Sequence, residues 1–299
     1  MKGKVIMQEK TFTIGLGGYR MLQAPNTTIT QMMSYLIVTP NRKLIVIDGG
    51  LREDAAYLSE KIHAFGSVVS LWIITHIHYD HYDALVEILE KPDQNGITIE
   101  KICYHFPPQE WVDAAEPRFI EPNKACYDIL DKFRHITFTA NENDQYEIDG
   151  LIVDIMKTPV DYLDYDPDYT GGSTVNDTSI VFKLLFPNGK SALFLGDLGL
   201  RAGTKLAMKF KDKLKSDIVQ MAHHGQNGAG EDVYQYVKPD LCMWTAPIWL
   251  YDNNGGLLNP ELENAFNNHH FKTVIVRGWM EKLGMTMHAV EGEGPAWII

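Results

Sequence analysis

Apolar positions along the chain alternate between short continuous runs and helical spacings. Ser34 to Thr39 and Lys43 to Asp48 are apolar, β-branched runs on either side of Pro40-Asn41-Arg42, the pattern of two strands joined by a hairpin. Leu58, Ile62 and Phe65 recur at helical spacing within residues 55 to 65, and Gly66 supplies a stop. Leu71 to Ile74 reads as a short buried strand. Leu85, Ile88 and Leu89 mark the inner face of a helix, and Cys126, Ile129, Leu130 and Phe133 mark another.

The second half repeats this grammar. Thr178 to Phe186 and Ser191 to Leu195 flank Pro187-Asn188-Gly189-Lys190, a strong hairpin signal. Leu206, Phe210 and Leu214 predict a helix, Asp217 to Ala222 a strand, and Leu262, Ala265 and Phe266 a helix entered at Asn259-Pro260. Because hairpins are mixed among alternating strands and helices, the pattern predicts an α/β protein. It favours two mixed sheets with helices outside over a purely parallel, doubly wound sheet. No Ser/Gly/Pro-rich linker divides the chain, so residues 1–299 are expected to form one domain. The polar segment from Lys157 to Asn176 interleaves Asp161, Asp164, Asp166 and Asp168 with Tyr162, Tyr165 and Tyr169. It reads either as a border of an active site or as a solvated excursion.

Composition narrows the function. The 27 Lys+Arg against 39 Asp+Glu give a formal net charge of -12, which argues against a general nucleic-acid binder and against docking on anionic membrane. No apolar stretch reaches the length that spans a bilayer, and the first twenty residues lack a signal-peptide run, so a soluble, cytoplasmic protein is expected. Cys103, Cys126 and Cys242 are far apart, with no CxxC, so neither a disulfide framework nor a thiolate zinc site is indicated.

Chemistry is concentrated in Thr75-His76-Ile77-His78-Tyr79-Asp80-His81. A strand ending at Ile74 delivers His76 and His78 on the same side, as two ligands to one ion require. Asp80 and His81 follow at the turn into a helix, within reach of a second ion. This run resembles the HxHxDH signature of the metallo-β-lactamase fold superfamily. Other places agree with the resemblance: Asp48 after Ile45-Val46-Ile47, Asp197 after Leu193-Phe194-Leu195-Gly196, and Met221-Ala222-His223-His224-Gly225. The His-His-Gly run, with Asn176 and Ser179 before it, resembles the competence-protein and phosphorylcholine-esterase-like branch.

The resemblance implies a four-layer αβ/βα sandwich of two mixed sheets with helices on the outer faces. It implies that His76, His78, Asp80, His81, Asp197 and His223 bind metal, with Asp197 bridging two ions, and that Asp48 orients a metal-bound imidazole. Asp80 and His224 are the candidates for a direct part in the reaction. His224 would contact phosphate or move a proton, and the sequence leaves the roles of His223 and His224 interchangeable. Many relatives supply a third His to the first ion after Thr-Pro-Gly. Here Thr158-Pro159-Val160 is followed by Asp161, an extra candidate ligand, while His105 and His135 are expected to be ordinary.

Two divalent ions are therefore expected, Zn2+ first, with Mn2+ or Fe2+ as alternatives because an oxygen-rich site is harder. A water activated by them would attack phosphorus or a carbonyl carbon, with no Ser or Cys nucleophile. The expected substrate is a small anionic phosphoester or phosphodiester. The alternatives are a carboxylic ester, lactone, thioester or amide, or a metal-binding protein with weak catalysis. Trp244, Trp249 and Tyr251 either line a pocket or belong to the core.

Overall fold

The computed structural model describes residues 8–159, 174–252 and 271–299. The helix expected around Leu262, and the aspartates and tyrosines of the 161–169 run, lie outside the described residues.

Two sheets dominate. The first has eight strands in the order Lys10–Phe12, Ala296–Ile298, Arg20–Gln23, Tyr35–Val38, Leu44–Ile47, Leu71–Ile73, Ile102–Tyr104 and Thr137–Thr139. The second has seven: Gln145–Ile148, Leu151–Lys157, Val181–Leu185, Ser191–Phe194, Ile218–Gln220, Leu241–Trp244 and Met287–Val290. Each is mixed, and each contains one expected hairpin. Leu44–Ile47 pairs antiparallel with Tyr35–Val38 and parallel with Leu71–Ile73. Ser191–Phe194 likewise pairs antiparallel with Val181–Leu185 and parallel with Ile218–Gln220.

The inner strands, such as Tyr35–Val38, Leu44–Ile47 and Ser191–Phe194, are buried on both sides because both faces are covered. Ile45 and Ile47 point into the core between the sheets, with Tyr35 and Ile73, against Val153, Phe182, Phe194 and Met243 of the second sheet. Tyr35 meets Phe194 edge-on at 5.1 Å, joining the two layers. Their neighbours Leu44 and Val46 point the other way, into a second core with Trp72 and the helices Ala55–Ala64, Tyr79–Glu90 and Ile120–Lys132. Val181, Leu193, Val219, Cys242 and Trp244 face a third core under the helices Leu200–Phe210, Glu231–Val237 and Thr273–Lys282. Helix, sheet, sheet, helix: this is the four-layer sandwich. Trp244 and Trp249 are buried in its third core, with Tyr251 packed against them.

One expected helix is shorter than its spacing suggests. Leu200–Phe210 ends where Lys211 turns left-handed (φ 47°), and Leu214 belongs to a separate 3-10 turn over Lys211–Leu214. Among the described residues, no helix is long and apolar enough to cross a membrane.

Candidate metal centre

The ligand-type side chains gather where strands of both sheets end. Asp48 follows the strand Leu44–Ile47 and is fully buried in a left-handed conformation (φ 52°). Its carboxylate accepts the Thr75 backbone N–H (2.7 Å) and the Thr75 hydroxyl (2.9 Å), and it accepts a bond from His81 Nδ1 (3.0 Å). One buried carboxylate thus pins the end of the neighbouring strand and the first turn of the next helix. His78 is extended (φ -118°, ψ 143°) at the N-cap of Tyr79–Glu90, which lets Asp80 and His81 point back from that first turn.

From the other sheet, Ser191–Phe194 runs through Gly196 to Asp197. A Cβ on Gly196 would stand 2.8 Å from Ser179 Oγ and 3.1 Å from Thr75 Cβ, and its φ is +55°, so glycine is required for this close approach. Ser179 Oγ accepts the Asp197 backbone N–H at 3.0 Å. Ile218–Gln220 leads to the tight Ala222–Gly225 turn, where His223 (φ 49°) and His224 (φ 56°) are both left-handed. Such a conformation costs non-glycine residues about 1–2 kcal/mol each, and its effect here is to fan two adjacent imidazoles toward Asp197.

Asp197 Oδ2 lies 3.3 Å from His81 Nε2, 3.3 Å from His224 Nε2, 3.7 Å from His223 Nε2 and 4.0 Å from His76 Nε2. Asp80 Oδ2 is also 3.3 Å from His224 Nε2. Two groups have ligand atoms mutually within 4.8 Å: His76, His81 and Asp197, and Asp80, His81 and His224. His78 stands outside both groups, but its Nδ1 is 3.0 Å from His76 Nε2. His224, expected to contact substrate, is inside a group. His223, expected as a ligand, lies toward the cleft with Asn176 Nδ2 3.4 Å away. Asp161 lies outside the described residues. His105 bonds the Ala140 carbonyl and His135 stacks on Phe133, away from the cluster. Glu116 carried no signal in the sequence; its Oε2 accepts a 2.9 Å bond from His78 Nε2.

The charges are strongly coupled. Burial pulls the His81 and His224 imidazoles down, but Asp197 with Asp48 and Asp80 outweighs it for His81, and Asp197 with Asp80 outweighs it for His224. His81 is held well above its ordinary value and His224 at about 10. Burial raises the Asp197 carboxyl, but His224, His81 and His223 overcome it and hold Asp197 well below the usual carboxylate range. Burial, reinforced by His81 and His78, pushes His76 well down. Burial takes His223 to about 4 against the pull of Asp197.

The donor set fits a divalent cation. His81 Nε2, His224 Nε2 and Asp197 Oδ1 are buried with no hydrogen-bond partner among the described residues, although buried polar atoms are almost always paired. His81 Nε2 and His224 Nε2 both stand 3.3 Å from Asp197 Oδ2. Imidazole nitrogen and carboxylate oxygen suit Zn2+, Mn2+ and Fe2+ alike.

A cleft of about 410 Å³ opens over the cluster, bounded by Asp80, Asp197 and His223 on its floor and by Arg118, Asn176, Gln226 and Asn227 around it. A larger groove of about 1070 Å³, between Lys43, Lys101, Phe138 and Tyr146, lies at the start of the Leu71–Ile73 strand and holds none of these ligand-type side chains.

A sequence model of the metallo-beta-lactamase superfamily matches residues 28–231, which include every described cluster residue. No curated protein is similar to the chain at the level of sequence. Among solved structures, the metallo-beta-lactamase fold protein YhfI from Bacillus subtilis is similar with a TM-score of 0.52 at 11% identity, over 93% of this chain and 99% of that one. CmlA, a diiron beta-hydroxylase from Streptomyces venezuelae, is similar with a TM-score of 0.51 at 12% identity, over 91% of this chain and 52% of that one. The chain thus spans about half the length of CmlA, and at these identities the likeness is one of fold.

Proposed function

We propose, on the premise that the chain belongs to the metallo-β-lactamase superfamily, that this hydrolase uses two divalent ions to cleave small anionic phosphoesters or phosphodiesters. The observation that carries the reading is Asp197 Oδ2 set between four imidazole nitrogens at 3.3–4.0 Å, under a cleft ringed by hydrogen-bond donors. In this reading His76 Nε2 and His78 Nδ1 would hold one ion, Asp80, His81 Nε2 and His224 Nε2 would hold the other, and Asp197 would serve both. Bound ions of this kind supply Lewis acidity and an activated water. Zn2+ is the first choice for both.

The remaining work falls to the chain itself. Asp48 holds His81 through Nδ1, and the Thr245 carbonyl holds His224 through Nδ1 at 2.9 Å, so both rings keep Nε2 free of its proton once loaded. His223, kept neutral at physiological pH by burial, takes the substrate-facing role in exchange with His224. Arg118 supplies a cation, and Asn176, Gln226 and Asn227 supply amides, to receive non-bridging oxygens of a phosphoryl group. These local donors make an anion welcome on a protein of net charge -12. Residues 1–299 act as one domain in this reading, supported by the pairing of Lys10–Phe12 with Ala296–Ile298 in the first sheet.

The test is metal analysis of the purified protein with turnover of bis(p-nitrophenyl) phosphate in added Zn2+ or Mn2+. Tight binding of transition metal with turnover is expected. A protein that binds less than one ion, or that hydrolyses a lactone and thioester panel while phosphodiesters stay inert, overturns the phosphoester assignment.

A further inference from the structure

We infer that Glu116 is a positioning residue that sets which nitrogen His78 presents to the first ion. The inference rests on the metal-site reading above and adds to it a residue 38 positions from its partner.

Glu116 follows the short helix Gln109–Ala115, which is anchored by the buried Val112. Its backbone N–H still bonds the Val112 carbonyl at 2.9 Å, but Pro117 bars the helical conformation, and Glu116 turns out at φ -137°, ψ 72°. That turn carries its carboxylate under the edge of the cleft to His78 Nε2, at 2.9 Å, with side chains only 9% and 13% exposed. A carboxylate accepts and does not donate, so the bonded Nε2 carries the ring proton and Nδ1 is left with its lone pair. Nδ1 is the nitrogen 3.0 Å from His76 Nε2.

His76 is fixed in the complementary sense. With His78 Nδ1 the acceptor, His76 Nε2 donates the 3.0 Å bond between the two rings in the metal-free protein, and it gives up that proton when an ion binds. Once that proton is lost, the two facing nitrogens of the His-x-His pair converge. His81 and His224 are held through Nδ1 and present Nε2; His78 is held through Nε2 and presents Nδ1. Glu116 reaches the nitrogen on the far side of the ring from His76, so it acts behind His78 and is not a replacement for a missing ligand.

The experiment is stepwise Zn2+ titration against a competing chelator on wild type, Glu116→Ala and Glu116→Gln, with 15N NMR of the metal-free proteins in alkaline buffer. Wild-type His78 is expected as the Nε2–H tautomer. Glu116→Ala is expected to show mixed tautomers and to weaken one of the two Zn2+ dissociation constants by about 10–100-fold, leaving the other unchanged. Glu116→Gln, which still accepts through Oε1, should retain the tautomer and lose several-fold on the same constant; it carries the titration if Glu116→Ala does not fold. The inference is overturned if a folded variant keeps both constants, or if His78 in Glu116→Ala keeps the wild-type tautomer. If wild type binds no Zn2+, the metal-site reading fails, and the tautomer comparison still decides what Glu116 does.

Discussion

The two flanks of Asp197 are built from different material. On one side, His81 and Asp48 are both 0% exposed, and His224 is held by a strand-end carbonyl, so every supporting group belongs to the sheets or to the first turn packed on them. On the other side, His78 depends on Glu116, a residue from a short peripheral helix that belongs to neither sheet. The first arrangement cannot move without moving the core. The second can be altered by changing a surface segment, so the flanks should differ in how readily they lose an ion. Positions behind His81 read as fixed architecture, and those behind His78 as adjustable.

Asp197→Ala removes the oxygen both flanks share; it is expected to lose metal on both sides and to lower turnover on the order of 10³-fold, with the circular dichroism spectrum kept. Turnover surviving this change would place the site elsewhere. Asp48→Asn should weaken the ion held by His81 by about 10–100-fold and the one held by His76, which Asp48 reaches only through Thr75, by less, the reverse of the Glu116→Ala order in the same titration. Equal weakening of both ions would erase the distinction between the flanks.

The smallest effect is one of pH, and its sign follows from His224. Its imidazole rises from an ordinary 6.5 to about 10 in the folded, metal-free protein. The stability this contributes is fully present below its unfolded value and is lost as pH rises through about 10. The melting temperature of the metal-free protein should therefore fall between neutral and alkaline pH. Since ligands must shed their protons, Zn2+ binding at neutral pH should release protons, which calorimetry in buffers of different ionisation enthalpy measures. No dependence on buffer would mean that His81 and His224 are not being displaced from their protonated forms.

Much of this site can be read from the chain because its parts are local. His76 to His81 lie on one strand end, and Asp48 and Asp197 each follow an apolar strand that announces itself. The hairpins and the helices Ala55–Ala64, Tyr79–Glu90 and Ile120–Lys132 are legible for the same reason, since their spacing is set by a buried face. What escapes depends on contacts between distant segments. Glu116 before Pro117 looks like any helix end until the fold brings it to His78. The roles of His223 and His224 cannot be separated by sequence, because two left-handed residues in one turn decide which ring meets Asp80. The strand Lys10–Phe12 is short and half polar, and only its partner Ala296–Ile298 makes it a strand.

The spread of these groups along the chain bears on how the protein is made. The supports of the cluster run from Asp48 to Thr245, and Asp197 meets its imidazoles only when both sheets have packed. Contacts of such long sequence separation form late, because the intervening loops must first be closed. A nascent chain emerging from the ribosome therefore holds His76 to His81 long before it can hold an ion between two sheets. Metal capture marks the end of assembly, and the loaded protein is by that fact a finished one.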